Sequence, residues 1–387
     1  MSRDKSDYFS PHYFVSSILI GLAVFLLGRA VLRLERVVVG GAERFGYVPD
    51  PEGTQRFLGE LGAEKFFQDA AGECMEKATE TDTFLYRQMD RAHRARYGTP
   101  FVVGRQGIGD CTSWGAMHAV YAAESVDWDM GRLAEPPRMP CSEAIYGGSR
   151  VEGRGKPGDG AAPLGGFSDG STGWGCAKFL RDWGVVYRED FPDLGYSLVT
   201  YSPDRAKAWG AYGCGGQGDR GRLDAVAKRH PCKHVVQVRT WAELAAAVTA
   251  GFPVTIASSQ GFSTTANSMG VCEASGTWFH QMAIVGIRFA KNAPDGIDAA
   301  LVCNSWGPQY ITYQGKFPAD QPSGMFWARR PVVERILSQE DSWAIGSVDG
   351  WKWRELNHHD WLQPAAERFP KRVPAARLAA GAFSLSP

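Results

Sequence analysis

The chain has 387 residues, 44% of them hydrophobic, and its 42 Lys and Arg balance 42 Asp and Glu, so the formal net charge is zero. Such length and apolar content support a sizeable core and exclude a wholly disordered chain. With charge balanced and scattered, the attraction that supplies most non-specific affinity for DNA or RNA is missing, and no nucleic-acid partner is expected.

Residues 1–12 form an N-terminal tail. The stretch YFVSSILIGLAVFLLG, residues 13–28, is uncharged and continues through RAVLRL to Leu34. It is slightly short for a hydrocarbon core of ~30 Å, but Arg29 and Arg33 can snorkel and lengthen the usable span. Residues 13–34 are therefore expected to be a transmembrane or signal-anchor helix and the protein a single-pass membrane protein. A cleaved signal peptide is the rival reading, although Gly28-Arg29-Ala30 makes a poor cleavage site. Arg3 and Lys5 before the span and Arg29, Arg33 and Arg36 after it lean toward a cytoplasmic C-terminal side and leave the orientation open.

Residues 35–80 begin with a Gly- and Pro-containing linker. They continue with Phe57, Leu58, Leu61, Phe66, Phe67, Ala70, Cys74 and Ala78 at helical spacing, with Thr54 available as an N-cap. This is an amphipathic helical stalk or an extra layer of the following domain; the alternative is a pro-segment lying across a cleft.

Residues 81–347 read as one domain. Helical patterns run from Cys111 to Val126 and from Gly173 to Trp183, separated by a Gly-rich loop. The later part turns strand-like in FPVTIAS, FHQMAIVGIRF, AALVCNSW and GMFWARR. Helices first and strands later predict an α+β fold with two lobes, and a cleft between lobes is a common place for a site. Residues 348–387 are a Pro- and Ala-rich tail expected to wrap the surface or be partly disordered.

The eight cysteines contain no C-x-x-C pair, which argues against a structural zinc site. Cys303 reads as a buried thiol, whereas Cys214 and Cys232 lie in loops where a bridge is possible. Gly153, Gly155 and Gly158 match G-x-G-x-x-G without the strand and helix a dinucleotide site needs, and read as a loop. His358, His359 and Asp360 are adjacent in sequence and read as solvated.

One constellation remains. Cys111 opens a helix, where the positive amide end favours thiolate. His280 opens an apolar strand and Asn304 ends the next one, so a nucleophile, a base and a group to orient the base are present. These segments resemble the papain-like cysteine peptidases, in that family's order: QGIGDC at residues 106–111, HQMAIVG at 280–286, NSWG at 304–307 and GMFW at 324–327. The resemblance covers roughly residues 81–343. It implies a papain-like two-lobed fold, with Cys111 on a helical lobe and His280 and Asn304 on an antiparallel β-barrel-like lobe. It further implies Cys111 as nucleophile, His280 as base and then acid, Asn304 as orienter, and Gln106 with the Cys111 amide as oxyanion donors. Trp306 would shield the bond between Asn304 and His280. His118 reads as a packing residue.

The sequence departs from the family where Thr112, not Trp, follows the Cys, where Gln106 stands five rather than six residues ahead of it, and where Ile108 replaces the usual half-cystine. An alternative alignment puts Ser113 at the nucleophile position; Cys111 is preferred because Trp114 and His118 then share one helix face. The implied activity is hydrolysis of peptide or protein substrates through a thioester, with no cofactor or metal. Two alternatives are an inactive papain-fold structural or binding protein of a membrane or virion assembly, and a thiol amidase acting on cell-wall peptides.

Overall fold

The computed structural model describes residues 45–154, 164, 169–346 and 350–356. The expected membrane span, residues 13–34, lies outside the described residues, as do most of the Gly-rich loop and His358, His359 and Asp360. Among the described residues no helix is long and apolar enough to cross a membrane.

Among the described residues the helices of eight or more residues are α1 (Pro51–Glu60), α2 (Tyr86–Tyr97), α3 (Cys111–Asp129), α4 (Ser142–Arg150), α5 (Gly173–Asp182), α6 (Pro203–Tyr212), α7 (Gly216–Ala227), α8 (Trp241–Thr249) and α9 (Arg330–Leu337), with shorter ones at Phe67–Ala70 and Gly72–Lys77. Their starts follow local chemistry. Asp50, rather than the expected Thr54, caps α1 by accepting from the Gly53 amide at 2.9 Å, with Pro51 at the first helical position. Thr54 sits inside the first turn. Ser202 and Pro203 repeat this arrangement at α6. At α8, Thr240 and Glu243 form a reciprocal capping box. Helix α3 is buried over nearly its whole length, as expected of a helix apolar on all sides.

The main sheet contains β1 (Thr83–Phe84), β2 (Val235–Gln237), β3 (Val254–Ala266), β4 (Cys272–Arg288), β5 (Ala299–Cys303), β6 (Thr312–Tyr313), β7 (Met325–Arg329) and β8 (Ser342–Ile345). Its strands run in the order β2-β8-β3-β4-β5-β7, with β1 beside β4 and β6 beside β3. The expected barrel-like closure is corrected here: β2 and β7 are the two ends of an open path. Nor is the sheet wholly antiparallel, since β3 and β6 pair in parallel. Local alternation of side chains predicts strands, but the order in which they pair is set by how the chain returns over long separations.

Two features position the site. Strands β3 and β4 pair with Ser258 opposite His280 and Ala257 opposite Gln281. Helix α3 crosses β4 so closely that a Cβ on Gly115 would meet Gln281 Cγ at 3.1 Å and the Met282 main chain at 3.2 Å. One apolar cluster joins the helices to the sheet, and Phe57, Phe67 and Cys74 belong to it. The first residues of the C-terminal tail are also packed: Arg354 is fully buried and pairs with Asp127 at 2.8 Å. Among the described residues every cysteine is a free thiol, including Cys214 and Cys232, so the bridge considered for that pair is absent. Cys303 is buried as expected.

Candidate active site

Cys111 is the first residue of α3, and its neighbours come from the sheet. It clusters with Tyr47 and Ala257, and the main chain at Gln281 and Gly46 is near enough to favour its thiolate. The Gln281 side chain donates to the Thr112 carbonyl at 2.8 Å, tying the strand residue after His280 to the helix residue after Cys111. Thiol and imidazole thus come from adjacent positions on two elements in direct contact.

His280 Nε2 lies 2.8 Å from Asn304 Oδ1. That oxygen also accepts the Ser305 amide at 2.7 Å, which identifies it as an acceptor and therefore makes Nε2 the protonated ring nitrogen. Nδ1 is left as the proton-accepting atom of the ring. Strand β5 ends at Cys303, which pairs with Ala283, so the next residue, Asn304, comes within reach of His280. The Trp306 ring lies over the imidazole with centroids 4.4 Å apart, and both residues are buried. Around Trp306 stand Trp278 at 4.7 Å, Tyr310 at 4.5 Å and Phe45 at 5.7 Å.

Gln106 is brought to the same place. Its Oε1 accepts from the Ser305 hydroxyl at 2.6 Å and its Nε2 donates to the Ile108 carbonyl at 2.8 Å. The donor that an oxyanion would need is thus engaged within its own loop. Ser113 points elsewhere: its hydroxyl donates to the Asp110 carbonyl at 2.7 Å in the first turn of α3. His118 packs against Trp114 with ring centroids 5.9 Å apart, and burial pushes its pKa down to about 3, so it is a neutral packing residue.

The electrostatics of Cys111 reverse the expectation from its helix position. Burial pushes the thiol up to about 12, outweighing the Gln281 and Gly46 amides that favour thiolate. Beside it, burial pushes the Asp110 carboxyl up to about 8 against hydrogen bonds from Tyr201 at 3.0 Å and Trp114 at 3.2 Å.

The thiol packs against a short strap, residues 45–48, part of the stretch whose alternative reading is a pro-segment lying across a cleft. The Gly46 and Tyr47 amides donate to the Phe279 carbonyl at 3.1 and 3.0 Å. On the other side, the Val48 amide donates to the Ser171 carbonyl at 2.8 Å and the Ser171 amide donates to the Gly46 carbonyl at 2.7 Å. The strap therefore spans from the strand carrying His280 to the segment leading into α5, directly over Cys111. Sequence reasoning missed Ser305, Phe279, Ser171, Tyr47 and Gln281. Only Ser305 and Gln281, inside the NSWG and HQMAIVG motifs, carried a signal.

No family model and no curated protein matches the chain. Among solved structures it is similar to xylellain, a cysteine protease from Xylella fastidiosa, at 16% identity and a TM-score of 0.48, covering 79% of this chain and 97% of that one. It is similar also to digestive procathepsin L 3 of Tenebrio molitor larval midgut, at 16% identity and a TM-score of 0.42, covering 89% and 95%. A third is the bromelain protease from Ananas comosus in complex with the E64 inhibitor, at 14% identity and a TM-score of 0.36, covering 65% and 95%.

Proposed function

We propose that the chain is a papain-like cysteine peptidase, held in a covered state by residues 45–48, that hydrolyses peptide bonds through a thioester on Cys111. The observation that carries this reading is the His280–Asn304 pair, 2.8 Å apart beneath Trp306 and next to Gln281, which bonds the carbonyl of Thr112, the residue after Cys111. In the proposed reaction the Cys111 proton passes to His280 Nδ1 as sulfur attacks the substrate carbonyl carbon. The imidazolium then protonates the leaving amine as the C–N bond breaks. Water, deprotonated by the same nitrogen, attacks the thioester and releases the acid and the thiol. The Cys111 amide and Gln106 Nε2 would hold the oxyanion, with Gln106 Nε2 turning from or sharing its bond to Ile108.

The experiment is covalent labelling of the full chain by an epoxysuccinyl or iodoacetamide probe. The reading expects modification at Cys111, lost in Cys111→Ala and strongly slowed in His280→Ala. Labelling that ignores both substitutions contradicts it. A non-catalytic binding protein is the second reading, favoured by full burial of the Cys111 thiol. A membrane tether through residues 13–34 belongs to the proposal and rests on the uncharged run there; sedimentation of the full chain with vesicles tests it.

A further inference from the structure

Residues 104–111, which carry both oxyanion donors of the proposed reaction, are fastened on two sides. Toward the sheet, the Gln106 amide donates to the Ser305 carbonyl at 2.8 Å and the Gly307 amide to the Gly104 carbonyl at 2.9 Å. Toward the helices the fastening is one phenol. Tyr201 Oη accepts the Gly107 amide at 3.1 Å and donates to Asp110 Oδ2 at 3.0 Å, so a single hydroxyl joins the two ends of a turn. Trp114 Nε1, one helical turn beyond Asp110, donates to the same oxygen at 3.2 Å, and its ring meets the Tyr201 ring edge-on with centroids 5.0 Å apart. No disulfide fastens the turn: Ile108 stands where the resemblance expects a half-cystine, and every cysteine among the described residues is free.

Both partners are held from behind. The amide of Ser202, next to Tyr201, donates at 2.9 Å to Glu143 Oε1, and this fully buried carboxylate is paired with Arg188 at 2.8 Å and Arg205 at 3.1 Å. Asp110 is fully buried, and its Oδ1 has no hydrogen-bond partner among the described residues, so its side chain is held through Oδ2. We propose that Tyr201 and Asp110 are positioning residues of the proposed hydrolysis: their bond braces residues 106–111 in the shape that places Gln106 and the Cys111 amide around one oxyanion. This rests on the peptidase reading for its reaction, and neither residue touches the reacting atoms. Donors stabilise an oxyanion only when fixed in place before the charge develops, and a misplacement of about 1 Å lowers the rate about 10²-fold.

One arm of the test needs no turnover. Hydrogen exchange in the parent full chain is compared with that in Tyr201→Phe, which keeps the ring against Trp114 and removes the hydroxyl. Exchange is expected to quicken about tenfold or more at Gln106 and Asp110 as well as at Gly107, although the first two amides bond the Ser305 and Ile108 carbonyls rather than Tyr201. Quickening at Gly107 alone, or none, overturns the brace. Asp110→Asn, whose amide oxygen can accept both bonds, should leave Gln106 exchanging as in the parent, and Asp110→Ala should quicken it as Tyr201→Phe does. Asp110→Asn that loosens Gln106 as far as Asp110→Ala also overturns the brace.

The second arm is peptide hydrolysis by a full chain whose strap is displaced by Gly46→Ala. Tyr201→Phe is expected to lower kcat about 10–10²-fold with KM changed less than about twofold, while iodoacetamide labelling of Cys111 keeps its rate. Added to Gln106→Ala, Tyr201→Phe should lower kcat by less than about threefold more, because the donor it positions is already gone. Effects of the two substitutions that multiply, or a fall in labelling that matches the fall in kcat, overturn the proposal while leaving the peptidase reading intact. Absence of turnover, together with the expected exchange order, supports the brace and overturns the peptidase reading.

Discussion

Gly46 runs so close to Gly109 that a Cβ built on Gly46 would stand 1.8 Å from the Gly109 carbonyl oxygen. The obstacle is main chain just ahead of α3, which has no flexible end to move aside. Gly46→Ala therefore cannot keep the strap where it is. The apolar cluster that includes Phe57 and Phe67 does not pass through this contact, so the variant is expected to keep its unfolding midpoint and label faster at Cys111. Unchanged labelling would show that the strap does not guard the thiol.

The position of the Cys111 thiol at about 12 predicts a distinct pH response. A thiol shifted upward is mostly neutral at pH 7, and its thiolate fraction keeps rising with pH. Alkylation of the parent chain should climb from pH 7 to 10 with no plateau, whereas Gly46→Ala, which removes the cover, should level off at lower pH. Coincident profiles contradict the assignment of the shift to burial.

Trp306 lies over the imidazole and meets Phe45, Trp278 and Tyr310. Trp306→Ala should cost about 3–5 kcal/mol of stability, as large buried aromatics do when truncated. In the strap-displaced chain it should lower kcat with little change in KM, since it admits water to the His280–Asn304 bond. Trp306→Phe should recover part of both. Urea unfolding and steady-state peptide hydrolysis read the two effects separately.

Asp110 titrates at about 8 in the fold against an ordinary 3.8. The folded state therefore holds a proton that the unfolded state releases between those values. The stability this provides is fully present below about pH 3.8 and is lost as pH rises through about 8. Asp110→Asn keeps the shape and removes the titration, so the parent should lose ground to it between pH 5 and pH 8. A difference in urea midpoint that stays constant over that range contradicts the expectation. His118 acts in the opposite direction: with its pKa pushed down to about 3, stability falls as pH drops below its ordinary 6.5.

The local motifs carried much of the site. A Cys at a helix start and an Asn just past a strand stand where those short-range patterns put them, whereas His280, expected to open its strand, lies inside β4, which begins at Cys272. Sheet closure was not legible, because pairing order depends on long returns of the chain rather than on alternation within a strand. The thiol's electrostatics were misread for a similar reason. A helix terminus favours thiolate, but residues 45–48 bury the sulfur, and nothing around Cys111 in sequence announces a segment arriving from so far upstream.

The proposed hydrolysis requires Cys111 and His280 to work as a pair. The most direct measurement is peptide hydrolysis by the full chain carrying Gly46→Ala, compared with the same chain carrying in addition Cys111→Ala or His280→Ala. The predicted result is loss of turnover to background without the thiol and a fall of about 10²–10⁴ in kcat/KM without the imidazole. Turnover that survives Cys111→Ala, or a folded Gly46→Ala chain with an accessible thiol that cleaves no peptide, would contradict it.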